Sequence, residues 1–156
     1  MHRHLLIPTD GSALSQAAVE YGIALAKSVS AKVTVLTVSL PFHIFAAEPA
    51  MLTDTPEQYA KRVEALAAKY LDAAKAVASA SGVNCEAVHL EHEHPYLAII
   101  ATAEKRSCDL IVMASHGRSG ISAVVLGSET NKVLTHSHIP VLVVRPPSRP
   151  FFSVES

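Results

Sequence analysis

Five short strand-like runs, separated by four longer segments of helical character, limit this chain to few folds. The runs are His4 to Thr9, Lys32 to Val38, Asn84 to Glu91, Asp109 to Ala114 and Pro140 to Arg145. Strand, helix, strand repeated along one chain predicts an α/β fold: a parallel sheet with helices on both faces. Right-handed crossovers narrow the topology further. The first, fourth and fifth runs are almost continuously apolar, as strands covered on both faces should be.

The segments between them read as helices with recognisable ends. Ser12 is placed to cap a helix running to about Ser30, with Leu14, Ala18, Tyr21, Leu25 and Val29 on one face. Phe42 to Pro56 is a loop that holds Pro49 and has room for a short helical turn. A long helix from about Pro56 to Ser81 carries Val63, Leu66, Tyr70 and Ala74, and Gly82 closes it. Pro95 takes the first-turn position of a third helix ending near Ser107. A last helix spans Ser128 to Ser137. Residues 1–146 therefore form one domain, and residues 147–156 a loose C-terminal tail.

Composition excludes several classes of function. An apolar fraction of 49% is ample for a core and argues against disorder. A formal net charge of -1 implies no polybasic face for nucleic acid or anionic lipid. The longest apolar runs, such as Leu110 to Ala114 and Ile139 to Val144, are too short to span a bilayer. The N-terminal stretch lacks an apolar core of secretory length, so a cytoplasmic location is expected. Cys85 and Cys108 have no metal-knuckle or dithiol spacing and are read as small buried hydrophobes.

The chemistry concentrates near the C-terminal end. Ala114-Ser115-His116-Gly117 follows the fourth apolar run, and nine residues later come Gly127 and Ser128. The spacing puts two places of close backbone approach where a strand ends and a helix begins. Free N–H groups at such points are how an α/β protein holds a phosphate chain.

Four stretches make the chain resemble the universal stress protein family. They are LLIPTDGS (Leu5 to Ser12), VTVLTVS (Val33 to Ser39), CDLIVMASHGRSG (Cys108 to Gly120) and LGSETNKVLTHSHIPVLVVRP (Leu126 to Pro146). The family's nucleotide pattern is Gly, two residues, Gly, nine residues, Gly, then Ser or Thr; here Ala114 stands at the first Gly. Glu93-His94-Pro95 also stands where many members have Gly-Asp-Pro, giving His94 the capping place. The resemblance implies a Rossmann-like open sheet of five parallel strands in the order 3-2-1-4-5. It also implies a homodimer and, for the subgroup with the glycine motif, ATP binding.

In that order the chain reverses between the first and fourth strands, and ligands sit in the crevice at their carboxyl ends. Pro8, Thr9, Asp10, Met113, Ala114, His116 and Gly117 fall there. Asp10 has two readings, an N-cap or a ligand to ribose, base edge or Mg2+. Val38 would face adenine or serve as ordinary core. Gly117 and Gly127 are phosphate-approach glycines or plain turn glycines. Ser128, with Glu129 and Thr130 beside it, caps the last helix, donates to phosphate, or does both. Arg118 pairs with phosphate or is a solvated loop residue. His116 is a loop histidine or a catalytic one. His89, His92 and His94 lie close enough to raise metal chelation, although loop and capping roles are commoner and no zinc ligand set is complete.

Three functions fit: a nucleotide-dependent stress-response regulatory module, a slow ATPase or phosphotransferase, and a dimeric scaffold with a vestigial pocket. No Gly-x-x-x-x-Gly-Lys loop is present, and Asp10 and His116 are the only evident bases near the motif, which favours binding over turnover. Protein partners cannot be named from the sequence. The fifth strand, Val141 to Val144 with Pro140 and Arg145 at its ends, is the expected dimer edge.

Overall fold

A computed structural model describes residues 1–45, 55–117 and 126–146. The chain begins with strand β1 (His4–Pro8) and helix α1 (Ala13–Val29), followed by β2 (Lys32–Ser39) and the single turn α2 (Phe42–Phe45). Helix α3 (Pro56–Ala80) leads to β3 (Cys85–Glu91), and α4 (Pro95–Lys105) to β4 (Leu110–Ala114). Helix α5 (Ser128–His136) and strand β5 (Val141–Val144) complete it. The five strands form one sheet in the order β3-β2-β1-β4-β5, and every neighbouring pair is parallel.

Alternation along the strands divides the core in two. Leu5, Ile7, Val33, Val35, Leu110 and Val112 pack beneath α1 and α3. Leu6, Leu36, Ile111 and Met113 face the other way, onto Ile99 and Ala103 of α4 and Val133 of α5. Side chains of period two therefore supply both faces of the sheet.

The helix ends follow their sequence signals. The Ser12 side chain accepts from the Ser15 amide and starts α1. Thr55 and Gln58 form a reciprocal capping box at α3. Gly82 follows α3 with φ +70°, a left-handed conformation that glycine adopts without penalty.

Several packing expectations are corrected. The buried stripe of α1 is Ser15, Ala18, Val19, Gly22, Ile23 and Ala26; Tyr21 is exposed, while Leu25 and Val29 are half-buried and pack against the margin of the core as expected. The reason is closeness of approach: a Cβ on Gly22 would lie 2.4 Å from Ile7 Cδ1. Small residues let the helix settle onto bulky strand side chains, and this decides which stripe faces in. On α3 the buried residues are Tyr59, Ala67, Leu71, Ala74 and Ala78, while Leu66 is exposed. Strand β5 is half-buried throughout, not doubly covered, because it is an edge. Cys85 is likewise half-buried, on the opposite edge strand, whereas Cys108 is buried.

At the amino end of the sheet His4 is buried, its ring bonded to Thr34 Oγ1 at 2.7 Å and to the Arg106 carbonyl at 3.0 Å. Burial and, next, the Lys32 charge hold its pKa below the usual histidine value. Among the described residues no helix is long and apolar enough to cross a membrane.

Candidate nucleotide site at the sheet's switch point

Strands β1 and β4 are neighbours, but their crossovers leave on opposite sides of the sheet, so a crevice opens where they end. A cavity of about 440 Å3 lies there, within the usual range for small-molecule sites. It is lined by Pro8, Thr9 and Asp10 around the end of β1, by Met113, Ala114, His116 and Gly117 around the end of β4, and by Gly127, Ser128, Glu129 and Thr130 at α5. Val38 lines it from β2. All these residues were singled out from sequence, and the fold brings them to one place. Arg118 lies outside the described residues.

The turn after β1 is built by side chains that fold back on their own backbone. Asp10 Oδ1 accepts from the Ser12 amide at 2.9 Å, so Ser12, not Asp10, is the N-cap of α1. Thr9 Oγ1 accepts from the Gly11 amide at 3.3 Å and meets Ser15 Oγ at 3.1 Å. Gly11 has φ +77°, and a Cβ on it would strike the Tyr70 ring of α3. Both backbone and space therefore demand glycine at that position. These contacts present the Asp10 carboxylate to the cavity.

Among the described residues, three hydrogen bonds anchor the two stems that follow β4 and precede α5. The Ser115 amide donates to the Val144 carbonyl at 2.9 Å, and the Gly127 amide to the Ser115 carbonyl at 2.7 Å. Thr130 Oγ1 donates to the Ala114 carbonyl at 2.8 Å. Close approach at both glycines is real. A Cβ on Gly117 would lie 2.5 Å from Asp10 Oδ2, and one on Gly127 would lie 3.0 Å from His116 Cα.

Gly127 is the N-cap of α5, with Ser128 as the first helical residue, and among the described residues no side chain caps the helix. The reading of Ser128 as a cap is thus corrected: Gly127 takes the position, and Ser128 lines the cavity one residue further on. His94 holds the N-cap position of α4, yet its side chain makes no capping bond. The Tyr96 amide in that first turn donates instead to Glu129 of α5, at 2.9 Å.

Ser15, Leu36, Leu40, Pro95 and Ile99 also line the cavity and were not anticipated from the motif. Leu36, Leu40 and Ile99 give its β2 and α4 side an apolar surface. Alternation along β2 could have signalled Leu36, which shares Val38's parity, and, extended by one residue, Leu40. Ile99 needs the tertiary fold.

Of the remaining histidines, His89 Nε2 lies 2.7 Å from Ser39 Oγ, and His92 Nδ1 accepts from the His94 amide at 2.8 Å. Among the described residues no group of three or more His, Cys, Asp or Glu is arranged to hold a metal. His116 is half-buried at the cavity, with Nδ1 3.3 Å from Ser115 Oγ.

Comparison with known proteins agrees with this architecture. Residues 1–145 match the universal stress protein family. The universal stress protein MJ0531 of Methanocaldococcus jannaschii is 32% identical over 157 aligned residues, covering 96% of this chain and 85% of the relative. The solved structure of MJ0577, from the same organism, superposes with a TM-score of 0.80 at 25% identity, covering 96% of this chain and 99% of that one. A universal stress protein solved in complex with cAMP superposes with a TM-score of 0.66 at 25% identity, covering 92% and 97% of the two chains.

Proposed function

Because the chain belongs to the universal stress protein family, we propose that it is an ATP-binding regulatory module. It acts as a cytoplasmic homodimer whose nucleotide state sets its conformation or its choice of protein partners. One observation carries this reading: the ends of β1 and β4 and the N-terminus of α5 converge on a single 440 Å3 cavity, polar on one side and apolar on the other.

The base packs against Leu36, Val38, Leu40 and Ile99, since base pockets are mostly apolar. The phosphates lie over Gly117 and Gly127 and meet the first amides of α5, where the helix dipole adds roughly 0.3–1 kcal/mol per charge. Asp10 faces the ribose or a magnesium ion. Magnesium keeps several waters and takes one or two carboxylates plus phosphate oxygens, so one aspartate beside the phosphate positions suits it. The adenine assignment is supported by the relative solved in complex with cAMP. Efficient phosphoryl transfer needs a positioned acceptor and strong charge stabilisation. The sequence has no Gly-x-x-x-x-Gly-Lys loop, which favours holding nucleotide over rapid turnover.

The dimer forms through β5. This edge strand is apolar along Val141–Val144, half-buried, and carries no charge within its span. Proteins normally blunt such edges. Antiparallel pairing with a second copy across a two-fold axis closes the edge in an isologous interface.

Calorimetry tests the nucleotide reading. ATP with magnesium is expected to bind in the micromolar range, about -8 kcal/mol. Absence of heat and of any thermal shift at millimolar ATP would refute it.

A further inference from the structure

Glu129 is the one acidic residue in the first turn of α5, and it lines the cavity in which that helix points its amides. An N-terminal carboxylate is ordinarily a favourable partner for its own helix dipole. This carboxylate also serves a second helix. Oε2 accepts from the Tyr96 amide at 2.9 Å, filling the capping role that the His94 side chain leaves vacant. Lys132 braces the same junction, with Nζ 3.5 Å from Glu129 Oε1 and 5.5 Å from the Tyr96 ring centre. The His94 and His136 rings flank Tyr96, with centroids 6.3 and 5.4 Å from it.

Two consequences follow. The tie joins the first turn of α5, which carries Ser128 and Thr130, to the first turns of α4, which carry Pro95 and Ile99. These are the two ends of the cavity. The second consequence is electrostatic. The positive end of α5 already has an anion beside it. Glu129 and Lys132 are both partly exposed, with relative side-chain areas of 39% and 48%. Solvent screens an exposed pair strongly, so Lys132 neutralises the carboxylate only in part. Phosphate oxygens reaching the α5 amides therefore come near a like charge.

We propose that Glu129 is the residue that sets phosphate-charge selectivity in this site. It positions the first turn of α5 against α4, and it disfavours uncomplexed polyphosphate, so that ATP is accepted as its magnesium complex. This inference rests on the nucleotide reading of the cavity.

Glu129→Gln keeps an acceptor for the Tyr96 amide and removes the charge. Calorimetry on the full chain, wild type and variant, uses adenosine, AMP and ATP, each with magnesium and with EDTA. Without magnesium, the preference for ATP over adenosine is expected to rise about fivefold or more in the variant, with AMP intermediate. The gain that magnesium gives to ATP is expected to shrink. A purely structural role would alter the three ligands alike, so an equal change, or none, overturns the charge assignment while leaving the nucleotide site standing. If neither protein binds any of the three, adenosine included, the nucleotide reading fails and the selectivity role falls with it. The positioning half has its own readout in the absence of nucleotide. In Glu129→Ala the Tyr96 amide is expected to exchange with solvent faster by NMR, and unchanged protection would overturn the tie.

Discussion

Gly117→Ala would test the junction between the two strand ends most directly. The added Cβ would lie 2.5 Å from Asp10 Oδ2 and 3.6 Å from Asp10 Cγ. Non-bonded heavy atoms settle near 3.5 Å, so the carboxylate must move by about 1 Å. A flexible side-chain end would yield cheaply, but Asp10 Oδ1 is engaged by the Ser12 amide at 2.9 Å. Turning the carboxylate weakens that bond, and a hydrogen bond to a charged acceptor contributes about 1.5–3 kcal/mol when intact. Partial exposure and incomplete loss bring this to roughly 1 kcal/mol. The alanine offsets about 0.4–1 kcal/mol of it by restricting the unfolded chain. Net stability should therefore fall only slightly, by no more than a few degrees in melting temperature. Binding should suffer more, because the carboxylate proposed to face ribose or magnesium is displaced. The expected loss for magnesium-ATP is about tenfold, or about 1.4 kcal/mol. Calorimetry on Gly117→Ala, Asp10→Ala and the double variant closes a cycle. With Asp10 shortened the clash disappears, so Gly117→Ala should then add less than about 0.5 kcal/mol. Strictly additive losses, or a Gly117→Ala protein that binds ATP as the wild type does, would refute the reasoning.

Three further outcomes are expected. Val143→Lys, which places a charge within the β5 edge, should shift the proposed dimer to monomer in light scattering while the far-ultraviolet dichroism stays native; a wild-type monomer would refute the dimer. Burial holds the folded pKa of His4 below the ordinary histidine value of about 6.5; above that value both states are neutral, and as pH falls the unfolded chain takes up the proton first, so stability is lost from about 6.5 downward until the folded value is passed. Denaturant melts between about pH 7.5 and 5.5 should therefore show a steeper loss for the wild type than for His4→Gln. Cys108 is buried, and desolvation, reinforced by Asp109, pushes its thiol up to about 11, so iodoacetamide should label half-buried Cys85 before Cys108 in the native protein, and equal rates would contradict the burial.

Much of the fold was legible because each element carries its own punctuation. Ser12 and Pro95 stand at or just inside helix starts and Gly82 stands at a helix end, so the alternation of strand and helix could be read locally. The candidate site was legible for a related reason. In a sheet of this order the ends of the first and fourth strands must meet, so residues distant in sequence could be assigned to one crevice. What was not legible depends on approach distances. The stripe of α1 that faces inward is chosen by Gly22 against Ile7, not by the largest apolar residues. The cap of α4 was invisible for the same reason: the His94 position is local, but the group that bonds the Tyr96 amide comes from Glu129, 33 residues away. Ile99 likewise enters the cavity only because α4 packs over the sheet beside α5.

The anchoring bonds explain why spacing carries more information than residue identity in the motif from Ala114 to Ser128. The nine residues between Gly117 and Gly127 are bounded by two stems, and each stem is fixed to the sheet by backbone groups. The Ser115 amide bonds Val144, and the Gly127 amide bonds Ser115. Thr130 adds a side-chain bond to the Ala114 carbonyl, which any residue at that position would offer. The frame therefore needs a fixed separation and small residues at points of contact, and Ala114 meets that need while buried at the end of β4. The same bonds run from the first turn of α5 through Ser115 to Val144, the last residue of the β5 edge. Ligand seated on these stems would act on the strand proposed to pair with a second copy. Thermodynamic linkage would then require dimer formation to favour the ligand by the same factor.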